Sequence, residues 1–400
     1  MKIGIIKEHK IPVDHRVPFT PEQCQLLQTN FGVDISVEPS EIRCFSDAEY
    51  KEKDVTITED LSDCDVLFGV KEVPIDELLP NKTYFFFSHT IKKQPYNRAL
   101  LQAVLEKKVK LVDYECLKNF ENNRIVAFGR WAGIVGAFNA LRTYGLKYEK
   151  FILKPANECF DLNELIEEVQ KIELPPLKIC LTGKGRVANG AVEILQTIGV
   201  KNVDVKSYLN GEFDHPVYVQ LDSEDYNINT EGVFDINDFY QNPSKYKSNF
   251  HRFLPITDML IAGAYWDPNA PVLFTKEDLR SSNFNIKIIA DITCDIEGSI
   301  PSTIRPSTIS EPFYDIDRET NTEVLPFEDT ENLSVMAVDN LPCELPRDAS
   351  RDFGNQLIEN ITSFFQTGIN DAVEKGAITT LDGELADEYQ YLSNYVKGEE

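Results

Sequence analysis

Short apolar runs alternate with amphipathic stretches along this chain, and their spacing sets its elements. Residues 2–6, 33–37, 64–70, 82–88 and 110–112 read as strands bounded by polar segments. Residues 21–29 read as a helix, because Thr20 is a suitable N-cap and Pro21 occupies the first helical position. Residues 97–106 carry a second helical pattern. Strands that alternate with helices predict a mostly parallel sheet covered on both faces.

The pattern then restarts. Small and apolar residues over 131–144 fall at helical spacing and predict a long helix linking two domains. An amphipathic helix over 161–171 is stopped by Pro175-Pro176. The run LKICLT at 177–182 is a strand, followed by a glycine loop and a helix predicted over 190–198. Further strands are predicted at 203–205, 259–262 and 286–289. Ser, Thr, Pro and acidic residues dominate 298–330, which reads as loop. A strand at 333–338 and a helix over 349–367 suggest that the chain returns to its first domain. The sequence has 400 residues, more than one core usually serves. The expected domains are 1–135 with 331–400, and 136–330. No fixed-period repeat is visible.

Composition narrows the partners. There are 66 acidic against 40 basic residues, a formal charge of −26, which disfavours nucleic acid and anionic membrane as partners. No apolar run is long enough to span a bilayer, and the start MKIGIIKEHK lacks a secretory signal, so a cytoplasmic protein is expected. The cysteines form no CxxC pair and read as reduced structural thiols; the dispersed histidines build no metal site. Oligomeric state is left open.

Gly183-Lys184-Gly185-Arg186-Val187-Ala188-Asn189-Gly190 lies between an apolar strand and a helical run. Gly183 permits a tight turn, Gly185 lets a pyrophosphate approach the backbone, and Gly190 lets helix and sheet close together. The helix start offers free N–H groups to an anion. The same pattern also fits an ordinary strand–helix turn. For the ribose, Asp204 is expected inside a strand and Lys206 just beyond it, which favours NADP(H) slightly while leaving NAD(H) open.

Among reactive side chains, His89 follows the strand-like run TYFFFS, and Lys71, with Glu72 beside it, follows CDVLFGV. Ligands gather at such strand ends in parallel sheets. Histidine exchanges a proton near neutral pH, and burial lowers a lysine pKa. Arg16, Arg124 and Arg130 offer guanidinium forks to carboxylates. Each of these residues also has a purely structural reading as a core histidine or a surface ion pair.

Taken together, the segments KEHKIPVDHRVPFTP (7–21), GVKEVP (69–74), FFFSHTIKKQ (85–94), LVDYECL (111–117) and RIVAFGRWAGIVG (124–136) resemble the alanine dehydrogenase and saccharopine dehydrogenase superfamily. So do LTGKGRVANGA (181–191), IAGAYW (261–266), IIADITCDIEGSI (288–300) and VDNLPCELPRDAS (338–350). The likeness is to its lysine-forming saccharopine dehydrogenases and to the lysine–ketoglutarate reductase half of the bifunctional lysine-degrading enzyme. It implies an α/β fold of two Rossmann-like domains with a cleft between them, the first completed by the C-terminal segment. It implies Lys71 and His89 as catalytic groups, Glu72 and Glu115 as accompanying carboxylates, and Arg16 as a substrate arginine. Asp339 corresponds to the acid near the domain junction, where it would meet substrate and cofactor, and Arg124 and Arg130 belong near the substrate. Gly183, Gly185, Arg186, Val187, Gly190 and Lys206 would face the dinucleotide. The implied substrates are lysine and 2-oxoglutarate, or saccharopine. This chain lacks the cysteine pair of the fungal enzymes, which maps to Val187 and Ala262, and lacks their ribose-binding acid near Leu209. Competing readings are another amino-acid dehydrogenase, such as one acting on alanine, and a non-catalytic dinucleotide-binding regulator.

Overall fold

A computed structural model describes residues 1–399. The chain divides into two compact units. One comprises Met1–Phe128 with the chain from Pro346 onward, and the other comprises Gly129–Leu345.

The first unit is built on a six-stranded sheet of β1 (Lys2–Ile5), β2 (Asp34–Val37), β3 (Thr56–Ile57), β4 (Val66–Phe68), β5 (Thr83–Phe86) and β6 (Lys110–Asp113). Its order is β3-β2-β1-β4-β5-β6, and every pairing is parallel. All the carboxyl ends therefore meet one edge. Helix Pro21–Phe31 starts in a capping box of Thr20 and Gln23 and ends at Gly32, whose φ of 65° suits glycine. Phe68 and Phe85 stack across neighbouring strands with centroids 4.3 Å apart. The C-terminal segment completes this core: Phe353 stacks on Phe128 at 4.4 Å, and Phe364 meets Phe85 edge-on at 5.3 Å. The Ile378 N–H also bonds to the Leu111 carbonyl.

The second unit holds β7 (Lys178–Thr182), β8 (Lys201–Asn202), β9 (Val217–Leu221), the hairpin β10 (Asn227–Asn229) and β11 (Tyr246–Ser248), and β12 (Met259–Ala262). It continues with β13 (Ile288–Asp291), β14 (Phe313–Asp317), β15 (Thr322–Val324) and β16 (Leu333–Met336). The main sheet runs β15-β14-β16-β13-β12-β7-β9-β8, parallel except for the pairings of β14. β12 and β13 are buried at every residue, as a sheet covered on both faces requires. The 19-residue helix Gly129–Lys147 packs on helix Arg186–Thr197. A Cβ on Gly133 would lie 1.8 Å from the Val187 carbonyl oxygen, so this approach needs glycine.

Two boundaries differ from the sequence reading. The strand at 333–336 stays in the second unit, parallel to β13 with Val335 opposite Ile289, because all four of its residues are buried there. The return to the first unit begins at Pro346, and the long helix starts at Gly129.

Candidate active site

In the first unit, four strand ends deliver the candidate chemistry. The backbone ladder carries on past the strands: the Gly69 N–H bonds to the Phe85 carbonyl and the Phe87 N–H to the Val70 carbonyl, both within 3.0 Å. Lys71 and His89 thus leave adjacent strands at the same edge. Glu8, beyond β1, accepts from the Val70 N–H at 2.6 Å and the Lys71 N–H at 2.9 Å, fixing where Lys71 begins. Burial pushes the Glu8 carboxyl up to about 8, reinforced by Asp14.

Burial and the nearby Arg16 charge lower the pKa of Lys71, opposed by Asp14 and Glu72. Arg16 forks onto Asp14, with Nε to Oδ1 at 2.9 Å and Nη2 to Oδ2 at 2.6 Å, and lies over the Phe128 ring at 4.2 Å. Burial disfavours the Asp14 charge, yet the Arg16 guanidinium holds its carboxyl well below the usual range. Glu72 pairs with Lys10 through Oε1, while its buried Oε2 takes no hydrogen bond from the described residues.

His89 sits at a φ of 55°, strained for a residue with a Cβ. Its Nδ1 lies 3.4 Å from Glu115 Oε2 and 3.4 Å from Lys92 Nζ, so Nε2 is the ring nitrogen presented to a substrate. Glu115 is placed by Asp113, whose Oδ1 accepts the Glu115 N–H at 2.8 Å. Although burial opposes its charge, the His89 hydrogen bond and the Lys92 and Arg124 cations take Glu115 down to about 2. Arg124 Nη1 lies 3.8 Å from Glu115 and the guanidinium covers Phe87 at 5.3 Å.

In the second unit, Gly183 has a φ of 94°, and a Cβ there would come within 3.0 Å of the Ala264 Cα. Gly185 is the N-cap of helix Arg186–Thr197, has no side-chain cap, and leaves open space where a Cβ would stand. The helix therefore begins with backbone N–H groups facing an open cradle, a shape that fits a pyrophosphate. Arg186 and Val187 form its first turn, so the helix starts four residues before the predicted 190. Gly190 is inside it, and its missing Cβ serves a helix rather than the sheet: the Arg130 carbonyl oxygen would lie 2.0 Å away.

Arg130 is committed to a bidentate pair with Glu193, both contacts at 2.7 Å. Asp339, beyond β16, accepts the Cys294 thiol at 3.8 Å. Both belong to the second unit. The ribose expectation needs correction. Residues 203–205 are not a strand: Asp204 caps helix Val205–Asn210 through the Ser207 N–H, which puts Lys206 and Leu209 on that helix, with Lys206 exposed. The strand beside β7 is β9, and the acid at its end is Asp222, which lies 3.4 Å from Lys184. Sequence reasoning missed Glu8, Asp14 and Asp222. The alternating run VYVQL after Pro216 was the available signal for β9, and hence for Asp222.

One unit holds a mostly parallel sheet with a glycine loop opening a helix, and the other holds a parallel sheet carrying Lys71 and His89 at its carboxyl edge, which defines a two-unit Rossmann-like α/β protein. Residues 4–135 match the family model described as alanine dehydrogenase/PNT, N-terminal domain. The chain is 29% identical to alpha-aminoadipic semialdehyde synthase, mitochondrial, of Rattus norvegicus, over 95% of this chain and 46% of the relative. It is 31% identical to alpha-aminoadipic semialdehyde synthase of Arabidopsis thaliana, over 98% of this chain and 41% of the relative. It is 24% identical to saccharopine dehydrogenase [NAD(+), L-lysine-forming] of Emericella nidulans, over 90% and 91%. An L-alanine dehydrogenase structure shares the fold, with a TM-score of 0.65 at 15% identity, covering 99% of this chain and 100% of that one. Over its first third the chain thus matches the alanine dehydrogenase/PNT N-terminal domain, and over 90% or more of its length it is similar to semialdehyde synthases and to a saccharopine dehydrogenase. It spans less than half the length of the semialdehyde synthases it matches. Among the described residues, no helix is long and apolar enough to cross a membrane.

Proposed function

We propose that this chain is an oxidoreductase that interconverts saccharopine with L-lysine and 2-oxoglutarate through an imine, using a nicotinamide dinucleotide. The observation that carries this reading is the convergence of Lys71, Glu72, His89 and Glu115 on one sheet edge, with Arg16 and Arg124 as nearby cations. When bound, the dinucleotide supplies or accepts the hydride at the imine carbon.

The residues divide the remaining work. Lys71, its charged form destabilised by burial, takes the proton released as the lysine side-chain amine adds to the keto carbon. His89, through Nε2, delivers a proton to the carbinolamine oxygen so that water leaves. Glu115 stabilises the protonated imidazole and anchors its ring. Glu72 Oε2, a buried acceptor without a partner among the described residues, suits an amine or ammonium of the substrate. Arg16 and Arg124 favour carboxylates, which saccharopine and 2-oxoglutarate carry. Gly183, Gly185, Arg186 and Val187 shape the pyrophosphate cradle, Gly190 lets the helix that opens it pack closely on its neighbour, and Asp339 lies beyond β16 in the same unit.

The test follows oxidation of NADH and NADPH in parallel with lysine plus 2-oxoglutarate, with each substrate omitted in turn and with pyruvate plus ammonia as a separate arm. Turnover should require both lysine and 2-oxoglutarate, with saccharopine as the product by mass spectrometry. Lys71→Met and His89→Gln should each lower kcat by about 10²–10⁴. Activity only with pyruvate and ammonia would replace this reading by an alanine-type one. Dinucleotide binding without turnover on any arm would replace it by a regulatory role.

A further inference from the structure

The first unit holds a cavity of about 710 Å³ whose lining includes none of the residues assigned to the reaction. Its volume falls in the ~300–1,000 Å³ range of small-molecule sites. One wall is the hairpin from Lys118 to Arg124, closed by the pairing of those two residues and by the Asn119 N–H on the Asn123 carbonyl at 2.9 Å. The other wall is made by helices Thr362–Thr367 and Asp371–Gly376, with Ile369 between them. Phe120, at the hairpin tip, and Ile369 are 86% and 65% exposed. The hairpin's own hydrogen bonds hold its tip, so the exposed ring is not what keeps it folded.

Lys118 and Lys375 bring a cation from each wall. Lys375 Nζ reaches across to 5.8 Å from the centre of the Phe120 ring, and among the described residues neither lysine has a carboxylate partner. In a chain with 66 acids against 40 bases, two such cations beside exposed apolar groups mark a place for an anion. The lining has one acid, Asp371, the first residue of its helix.

Both walls join the turn that carries Glu115. Helix Asp371–Gly376 is packed hard against the residues after it: a Cβ on Gly376 would lie 2.8 Å from Leu117 Cδ2 and 3.5 Å from the Cys116 carbonyl carbon. Ala377 also pairs with Val112 of β6. The hairpin leaves the same turn, held at its base by the Ile125 N–H on the Leu117 carbonyl at 3.0 Å. Drawing Lys118 toward Lys375 therefore moves the hairpin rather than the helix. Arg124, paired with Lys118, moves with it, and Arg124 is the cation beside Glu115 and over Phe87.

We propose that this cavity is a regulatory site for a small carboxylate with an apolar body, an amino acid or its 2-oxo analogue. Lys118 and Lys375 hold the carboxylate, Phe120 and Ile369 cover the apolar body, and Asp371 takes the ammonium group of an amino acid. Filling the site shifts Arg124 and weakens the hold of the catalytic edge on 2-oxoglutarate. The binding stands on the cavity itself, and the effect on 2-oxoglutarate rests on the saccharopine reading.

Calorimetry on the full chain with L-leucine and with 4-methyl-2-oxopentanoate separates the two sources. L-Leucine should bind more tightly, through Asp371; the oxo acid as the tighter ligand would remove Asp371 from the site while supporting its cations. The double variant Lys118→Gln, Lys375→Gln should weaken both by about tenfold or more, and Phe120→Ala by about fivefold, with melting temperatures near that of the parent. As ligand fills the parent, the KM for 2-oxoglutarate should rise by about fivefold and then level off. The double variant should show no such rise at the same concentrations. A rise without a plateau, equal in parent and variant, would put the ligand at the catalytic edge and overturn the site. Binding that both variants leave unchanged, or no binding of either probe, would overturn it too. Binding that leaves the KM unchanged would overturn the link to Arg124. Absence of turnover on lysine and 2-oxoglutarate would sink the saccharopine reading, and the calorimetry of parent and variants would then decide the site by itself.

Discussion

Lys71 shows how the pKa of a single side chain is set by competition around it. Burial and Arg16 push against its charge, whereas Asp14 and Glu72 support it. In the direction that consumes lysine, the neutral amine is the working form, so activity should rise with pH as Lys71 loses its proton. Glu72→Gln removes a charge that raises the Lys71 pKa and leaves Lys10, which lowers it, without that carboxylate partner. Both changes act in the same sense. The ascending limb of the kcat/KM profile should move to lower pH in this variant, measured with 2-oxoglutarate saturating. A limb that stays in place or moves upward would remove Lys71 as the group titrating there. The placement of Lys71 and His89 at strand ends was legible because each follows an apolar run. The anchoring of the Lys71 backbone by Glu8 and the tuning by Asp14 were not, because those residues sit in an irregular segment after β1 with no periodicity to mark them.

At the scale of elements, strands with continuous apolar character were easy to read: β7, β12 and β13 appear where the pattern put them, within a residue or two at the ends. Val203-Asp204-Val205 misled because two β-branched residues imitate a strand. Asp204 instead accepts the Ser207 N–H and starts a helix, a local hydrogen bond that outweighs propensity. The glycine loop was legible as a strand–turn–helix signal, but the partner of Gly190 was not, since sequence cannot show which backbone approaches a missing Cβ. The two glycines should therefore respond differently to alanine. At Gly190 the new Cβ meets the Arg130 carbonyl oxygen at 2.0 Å and the Ile134 nitrogen at 3.1 Å, so one helix must move. The overpacking cost of ~1–3 kcal/mol exceeds what alanine returns in helix propensity only where the backbone cannot yield, as here. Gly190→Ala should lower the melting temperature by roughly 2–10 °C. Gly185→Ala meets nothing within 4 Å at a φ of −82° and should melt like the parent while binding dinucleotide less tightly. Equal melting temperatures for both variants would show that the two helices separate easily.

Across the whole molecule, contacts of very long sequence separation close the first unit. The Val17 N–H bonds to the Ser350 hydroxyl at 2.9 Å, and Thr379 bonds to the Val109 carbonyl at 2.6 Å. That core is finished only when the last part of the chain arrives, which agrees with the apolar and helical signals read after residue 349. Charge is the other property belonging to the whole chain. The net charge of −26 is not cancelled by the many exposed ion pairs, such as Lys171 with Glu168 and Lys276 with Glu297, which are each worth little. Unfolding spreads the surplus acids apart, so their repulsion favours the unfolded chain. Raising NaCl from about 0.01 M to about 0.1 M shortens the screening length from about 30 Å to about 10 Å, which weakens this diffuse repulsion more than contacts closer than 4 Å. The melting temperature should rise over that range and level off above it. A fall instead would mean that the surface ion pairs, rather than the surplus of acids, dominate the electrostatic contribution to stability.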